Sequence, residues 1–544
     1  MKKTAILTLA LTFGFSTVWA CTNFLAGKSA TTDGSTLITY AADSYMLYGA
    51  LYHYPATNHS ADAMRQVNEW DTGKYLGEIP EIPHTFSVIG NMNEHQLTIG
   101  ETTFSGRPEL QDTTGIIDYG SLIYITLQRA KTARAAIDTI VSLTERYGYY
   151  STGESFSIGD PNEVWIMELI GKGVGNKGIA WVAKRIPDDC VSAHANQARI
   201  TTIDFEDAEN CLYADDVISF AREKGYYKGK DKNFSFSDTY APLDFGGLRA
   251  CEARVWSFFR RLDPEMDKYL SYVKGETKER MPLWIKANKK VSVQDFKNLM
   301  RDQYEGTELD MTKGTAAGPF GSKLRHSPLT FDIDGKTYWH ERPTATQQTG
   351  FSFVAQMRNY VPAHVGGIFW FGVDDAATNL YVPMYARMNQ VPECFSLQNG
   401  SLLEYSSTSA FWTYNWVANY AYSKYSYMYA DIQKVQAEWE KYFNVLVETI
   451  DEQSARLNSG EAVDFLTKFS SSQAEASTEA WKKLGEYLLV KYMDGNIKKE
   501  VNGQFEQNEF HIPSTIIRPG YPEEFLNKIA PETAVDNLKK ASKN

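Results

Sequence analysis

The sequence predicts a layered α+β fold, on three observations. Short β-rich runs dominate from Cys21 to about Ile200. A helical pattern interrupts them between Leu122 and Arg146. Strand character returns over residues 326–395, ahead of a long helical stretch from Ser409 to about Asp494. Strands, a helical block and strands again favour stacked layers of sheet and helix over strict βαβ alternation.

The elements follow in chain order. Leu37-Ile38-Thr39-Tyr40 is β-rich and follows the tight-turn dipeptide Asp33-Gly34, so Cys21 to Tyr40 is expected to form a hairpin. Thr85 to Ile89 and Leu97 to Ile99 are further short strands. Leu122 to Arg146, with alanines at 130, 133 and 136, predicts one helix. Val164 to Leu169 and Gly178 to Ala183 predict a strand pair joined by a glycine-rich turn. Residues 213–310 are mixed and charged, with a helix expected from Arg249 to Arg261. Gly366 to Val373 is an apolar strand. The Tyr- and Trp-rich stretch from Ser409 onward is expected to pack as core or interface. With no repeats and no low-complexity linker, no sharp domain boundary is marked.

The first residues bear on compartment. Lys2 and Lys3 precede an apolar run from Ala5 to Val18, and Val18-Trp19-Ala20 puts small residues three places and one place before Cys21. This predicts a secretory signal peptide over residues 1–20, cut before Cys21, with a periplasmic or extracellular product. A lipoprotein signal also ends at Cys, but it favours a small residue where Trp19 stands, and a polar tether where Thr22 to Gly27 looks like a strand. A lipid anchor on Cys21 is the lesser alternative.

Composition narrows the partners. The chain has 544 residues, 43% hydrophobic and 22% charged, and a formal net charge of −12. That balance argues against nucleic acid and anionic membrane surfaces. Beyond the leader no segment has the length of apolar sequence that a membrane span needs. Five cysteines are too few for a disulfide scaffold; Cys190, Cys211, Cys251 and Cys394 allow up to two bridges, in any of three pairings. Cys21 is the odd one out if all four pair. Homo-oligomerisation is left open.

Several catalytic signatures fail on context. Gly173-Val174-Gly175-Asn176-Lys177-Gly178 has dinucleotide-loop spacing but leads into a strand, so a hairpin turn is expected. There is no His-Glu-x-x-His, no metal-ligand spacing among the nine histidines and no Gly-x-Ser-x-Gly elbow. Asp374-Asp375 follows a strand and is expected to be a loop.

Cys21 is different. A cut before it frees an α-amine whose reference pKa is about 7.7–8.0. The amine lies within reach of its own Sγ, so one cleavage supplies both nucleophile and base.

The runs around this residue carry a resemblance. Cys21-Thr22-Asn23-Phe24, Thr32-Asp33-Gly34-Ser35-Thr36 and Ala41-Ala42-Asp43-Ser44 resemble the start of N-terminal nucleophile (Ntn) hydrolases. More narrowly, they resemble the secreted dipeptidase family related to penicillin V acylase and bile salt hydrolase. Asn91 to His95, Ile99 to Phe104, Ser192 to Ile200, Glu252 to Trp256, Trp339 to Pro343 and Phe353 to Arg358 are similar to further segments of that family. The resemblance covers most of residues 21–395.

It implies an αββα four-layer sandwich, with a catalytic domain over 21–400 and a helix-rich C-terminal region over 401–544 packed on it. It also implies Cys21 as nucleophile and, through its amine, base. Asp43 orients that amine. Asn196 is an oxyanion donor, helped by a backbone N–H near Thr103, and Arg254 organises the site. The acylase relatives carry an arginine where this chain has Tyr40, leaving Tyr40 as a substitute hydrogen-bonder. Glu101 either binds a substrate amine or pairs with Arg107.

The activity so implied is hydrolysis of dipeptides or short peptides through a thioester, with no metal or organic cofactor. The alternatives are an amidase of N-acyl amino acids, bile salts or penicillins on the same fold, and a lipid-anchored binding protein without catalysis.

Overall fold

The computed structural model of the protein describes residues 21–532, so the expected leader lies outside the described residues. The longer strands of the two large sheets are β1 (Asn23–Ala26), β2 (Thr36–Asp43), β3 (Thr98–Phe104), β4 (Gly153–Gly159), β5 (Val164–Gly171), β6 (Ile179–Arg185), β7 (Val191–His194), β8 (Thr349–Met357), β9 (Ile368–Val373) and β10 (Val382–Tyr385). A seven-stranded sheet runs Trp284–Ile285, β7, β1, β2, β8, β9, β10. An eight-stranded sheet runs Cys211–Tyr213, β6, β5, β4, β3, and then three two-residue strands. The fold is α+β, as the sequence predicts.

The hairpin expected from Cys21 to Tyr40 is β1 and β2, antiparallel with Leu25 opposite Ile38. Its turn places Gly34 at φ +82°, a region glycine enters without a Cβ clash. Asp33 Oδ1 accepts from the Ser35 N–H at 3.1 Å, which closes the turn locally. The glycine run 173–178 is a turn between β5 and β6, with all three glycines at positive φ.

All eight residues of β2 and all nine of β8 are buried. One face of the seven-stranded sheet meets the eight-stranded sheet at very short range. A Cβ on Gly100 of β3 would lie 2.6 Å from Asn23 Nδ2, and one on Gly159 of β4 would lie 2.7 Å from Ile38 Cδ1. Glycine there lets the two sheets approach around Cys21.

Helices cover the outer faces. Against the eight-stranded sheet lie α1 (Tyr119–Arg129) and α2 (Ala133–Tyr147), whose Leu122, Ile137 and Ile140 share a core with Ile99, Phe156 and Met167. The sequence predicts one helix over this stretch, and the structure has two. Ala130 is extended at φ −108°, ψ 150°, and Thr132 caps the second helix by accepting from the Ala135 N–H at 3.3 Å. Alanine spacing carries no mark of that break.

The other sheet carries α3 (Ala253–Leu262), preceded by a π-helical turn over Gly247–Glu252, and the Phe24 and Phe258 rings stack at 4.1 Å. The C-terminal stretch is α4 (Ala410–Tyr422), α5 (Tyr425–Ser454) and α6 (Ser459–Tyr492). Tyr414, Val417 and Trp481 join the core of β9 and β10, so much of the aromatic density there is packing. Gln436 of α5 donates to the carbonyls of Ala377 and Asn379 at 3.0 and 2.6 Å, tying the helix to the loop after β9.

All five cysteines are free thiols, so the bridges that counting allowed are not formed. A count of thiols says nothing of distance, and these four sit on separate elements. Among the described residues no helix is long and apolar enough to cross a membrane.

Candidate active site

Cys21 is buried, and the residue after it is held against β2: the Thr22 and Ala41 N–H groups donate to each other's carbonyls at 3.3 and 2.9 Å. The Cys21 thiol donates to Glu101 Oε1 at 3.4 Å and lies 3.7 Å from the Tyr40 hydroxyl. Tyr40 donates to the same Glu101 oxygen at 2.5 Å. Thr103 Oγ1 lies 3.5 Å from Glu101 Oε2 and donates to Glu154 Oε1 at 2.9 Å. Burial and the neighbouring Glu101 push the Glu154 carboxyl well above the ordinary carboxylate range. Burial raises the Glu101 carboxyl as well, opposed by the hydrogen bonds it accepts from Tyr40 and Cys21, so Glu154 is the one of the two held more strongly toward its neutral form. Burial, reinforced by the charges of Glu101 and Asp43, also pushes the Cys21 thiol well up. Attack by this sulfur needs a base in contact with it.

Arg254, near the start of α3, clamps the carbonyl side of Cys21. Its Nη1 donates to Cys21 O at 2.5 Å and to Thr22 Oγ1 at 2.8 Å; its Nη2 donates to Asn196 Oδ1 at 2.9 Å and to Ala195 O at 3.3 Å. Burial, reinforced by Arg342, lowers its pKa to about 10, which leaves it cationic at neutral pH. Asn196 takes the left-handed φ of 57°, a region Asn tolerates better than most residues. Its Nδ2 donates to Thr103 O at 2.7 Å. With both amide ends tied, the side chain is fixed, and an amide nitrogen carries two N–H bonds.

Asp43 ends β2. Its carboxylate pairs with Arg342 and accepts from Thr349 Oγ1 at 2.6 Å, while its backbone hydrogen-bonds the Cys21 sulfur. Cys21, Tyr40, Asp43 and Glu101 line one cavity of about 170 Å³. The structure thus brings these four together; Thr103 O, Asn196 and Arg254 form a hydrogen-bonded chain that ends on the Cys21 carbonyl and does not line that cavity. Glu101 does not pair with Arg107, which instead sits 3.9 Å from Glu109 and donates to Thr239 O at 2.7 Å. Glu101 is held instead by the Tyr40 hydroxyl, with its Oε1 beside the Cys21 sulfur.

Sequence reasoning gave no role to Arg342, Glu154, Asp71 or Tyr119. Arg342 stands in the quoted Trp339–Pro343 run, but nothing local marks its partner. Asp71 and Tyr119 line the cavity, and Tyr119 donates to Asp71 Oδ1 at 2.8 Å. Much of the remaining wall is apolar or aromatic, including Leu47, Tyr52, Trp70, Tyr124 and Phe351.

Comparison with known proteins assigns the class: the protein is a peptidase. Residues 20–438 match the model of peptidase family C69, and the chain belongs to that family. It is 25% identical over 499 residues to a probable dipeptidase of Latilactobacillus sakei, covering 86% of this chain and 94% of the relative. It is also 25% identical over 399 residues to dipeptidase A of Lactobacillus helveticus, covering 69% and 77%, and 25% identical over 416 residues to a probable dipeptidase of Salmonella dublin, covering 71% and 86%. The dipeptidase resemblance seen in the sequence stands.

Proposed function

We propose that the protein hydrolyses dipeptides or short peptides through a thioester on Cys21, and that its stacked sheets and outer helices are the αββα sandwich of the Ntn hydrolases. The observation that carries this is the sulfur of Cys21 at the wall of a cavity, with its own carbonyl clamped by the guanidinium that also holds Asn196.

The chemistry begins with export and a cut before Cys21, which frees the α-amine. That amine takes the thiol proton as Sγ bonds to the peptide carbonyl carbon. The oxyanion is met by the second N–H of Asn196, assisted by backbone N–H near Thr103. The C–N bond then breaks, and the leaving amine departs with the proton from the Cys21 ammonium. Water next adds to the thioester, its proton passing to the same amine; the thiolate leaves and is reprotonated. Asp43, held by Arg342 and Thr349, orients the amine throughout. Tyr40 keeps Glu101 in place beside the sulfur where acylase relatives carry an arginine.

The test uses protein whose chain begins at Cys21, shown by intact mass to carry an unmodified amine. Wild type is expected to release amino acids from a dipeptide panel; Cys21→Ala and a form with one residue added before Cys21 are expected to be inactive. Full activity in either variant refutes the mechanism, and a diacylglyceryl mass on Cys21 blocks it.

A further inference from the structure

Among the described residues the cavity beside Cys21 is lined by no lysine, arginine or histidine, while Asp43, Asp71 and Glu101 all reach it. Asp43 is neutralised by Arg342. Glu101 and Asp71 are left facing a space of about 170 Å³, below the roughly 300 Å³ at which pockets for larger ligands begin. It has room for one residue of a substrate.

Bond geometry says where the charge of that residue falls. In a peptide with a free N-terminus, the amine nitrogen lies about 2.5 Å from the first carbonyl carbon. A sulfur poised for attack sits about 3–3.5 Å from that carbon. The ammonium is therefore confined to within about 6 Å of Sγ. Glu101 Oε1 lies 3.4 Å from Sγ, inside that sphere. Burial raises its carboxyl pKa, and the hydrogen bond it accepts from Tyr40 pulls the other way, toward the charged form; Glu154 beside it is raised further. Asp71 comes from a different part of the chain and is oriented by Tyr119. An N-acyl substrate places an uncharged amide and its acyl group in the same space.

Resting on the reading of Cys21 as nucleophile, we infer that the cavity receives the first residue of the substrate and that Glu101 and Asp71 bind its α-ammonium. Glu101 and Asp71 are thereby the residues that set the preference for a charged first residue over an uncharged one.

The experiment compares leucyl-alanine with its desamino analogue, 4-methylpentanoyl-alanine, which is smaller and loses only the charged group. Wild type is expected to prefer leucyl-alanine in kcat/KM by about tenfold to a hundredfold, the span of a hydrogen bond to a charged group. Asp71→Asn and Glu101→Gln are each expected to narrow that preference, Asp71→Asn chiefly through KM. Equal turnover of the two substrates by wild type, in a reaction abolished by Cys21→Ala, overturns the inference while leaving the nucleophile in place. A preference unchanged in both variants overturns it too. Hydrolysis that survives Cys21→Ala overturns the catalytic reading and the inference together.

Discussion

Arg342 and Asp43, 299 residues apart in the chain, form a buried ion pair at the wall of the cavity beside Cys21. Burial lifts the Asp43 carboxyl above its ordinary range, and the Arg342 guanidinium leads the opposing pull, with Thr349 behind it. The residue three places before this aspartate is Tyr40, and Asp43 draws its positive partner from a distant loop. Removing one partner of such a pair leaves an uncompensated charge in a low-dielectric site. Arg342→Met is therefore expected to cost about 3–5 kcal/mol of stability. Breaking the exposed Arg222–Asp231 pair by Arg222→Ala is expected to do little, because solvent screens it. Chemical denaturation of the two variants decides the point, and equal losses would refute the special status of Arg342.

Asn196 is expected to act on rate alone. Its side chain is pinned by Thr103 O and Arg254, so Asn196→Ala removes a preset donor without opening a large void. Loss of one oxyanion donor typically costs about 10²–10³ in kcat. A matching rise in KM with kcat preserved would instead assign Asn196 to substrate binding. Arg254→Lys is expected to slow the reaction as well, since a single ammonium cannot span Cys21 O, Thr22 Oγ1 and Asn196 Oδ1 as the guanidinium does. Steady-state kinetics on mature protein reads both effects.

What was legible in the sequence was local. Asp33-Gly34 announced the first hairpin, the glycine run 173–178 announced a turn, and Cys21 stood out through its neighbours and its place behind the expected leader. What was hidden depends on chain segments meeting in space. Arg342 finds Asp43, Glu154 finds Thr103, and Asp71 joins the cavity wall only after the sheets stack. Glu101 looked able to pair with Arg107 because the two are close in sequence, but its carboxyl is taken by Tyr40 and Cys21, which reach it from the other sheet. The break between α1 and α2 was missed because a Thr cap is a weak signal inside an alanine-rich run.

His194 gives a pH signature. It is wholly buried on β7, with Nδ1 2.7 Å from Thr102 Oγ1 and Nε2 2.7 Å from Ser157 Oγ, so it pins the two sheets next to Cys21. Burial, with the charge of Arg199 adding to it, lowers its pKa to about 3. The unfolded chain binds a proton here below about pH 6.5, while the folded chain stays neutral until about pH 3. Stability from this group is therefore full above pH 6.5 and is lost as pH falls toward 3, at about 1.4 kcal/mol per pH unit. Other buried groups titrate over this range, so the readout is the difference between wild type and His194→Gln. That difference is expected to shrink by about 2 kcal/mol between pH 6.5 and pH 5 in denaturant titrations. A difference that stays constant with pH would show that His194 is not held neutral.

Gly100 tests whether the close approach of the sheets serves the site. A Cβ there meets Asn23 Nδ2 at 2.6 Å on β1, two residues after Cys21, and Tyr40 Cβ at 3.2 Å on the neighbouring β2. Asn23 is held by Ser157 at 3.1 Å and Tyr40 by Glu101, so neither neighbour yields freely. Gly159 is also crowded, but its nearest contact is the Cδ1 tip of Ile38, the flexible end of a side chain. Gly100→Ala is expected to cost about 1–3 kcal/mol through overpacking. It is also expected to lower kcat, because the strain is relieved by moving Asn23 or Tyr40 and with them the setting of Cys21 and Glu101. Gly159→Ala is expected to cost less and to spare kcat. Denaturation midpoints and steady-state rates of the two variants measure this, and a Gly100→Ala enzyme with full kcat would separate the sheet contact from the chemistry.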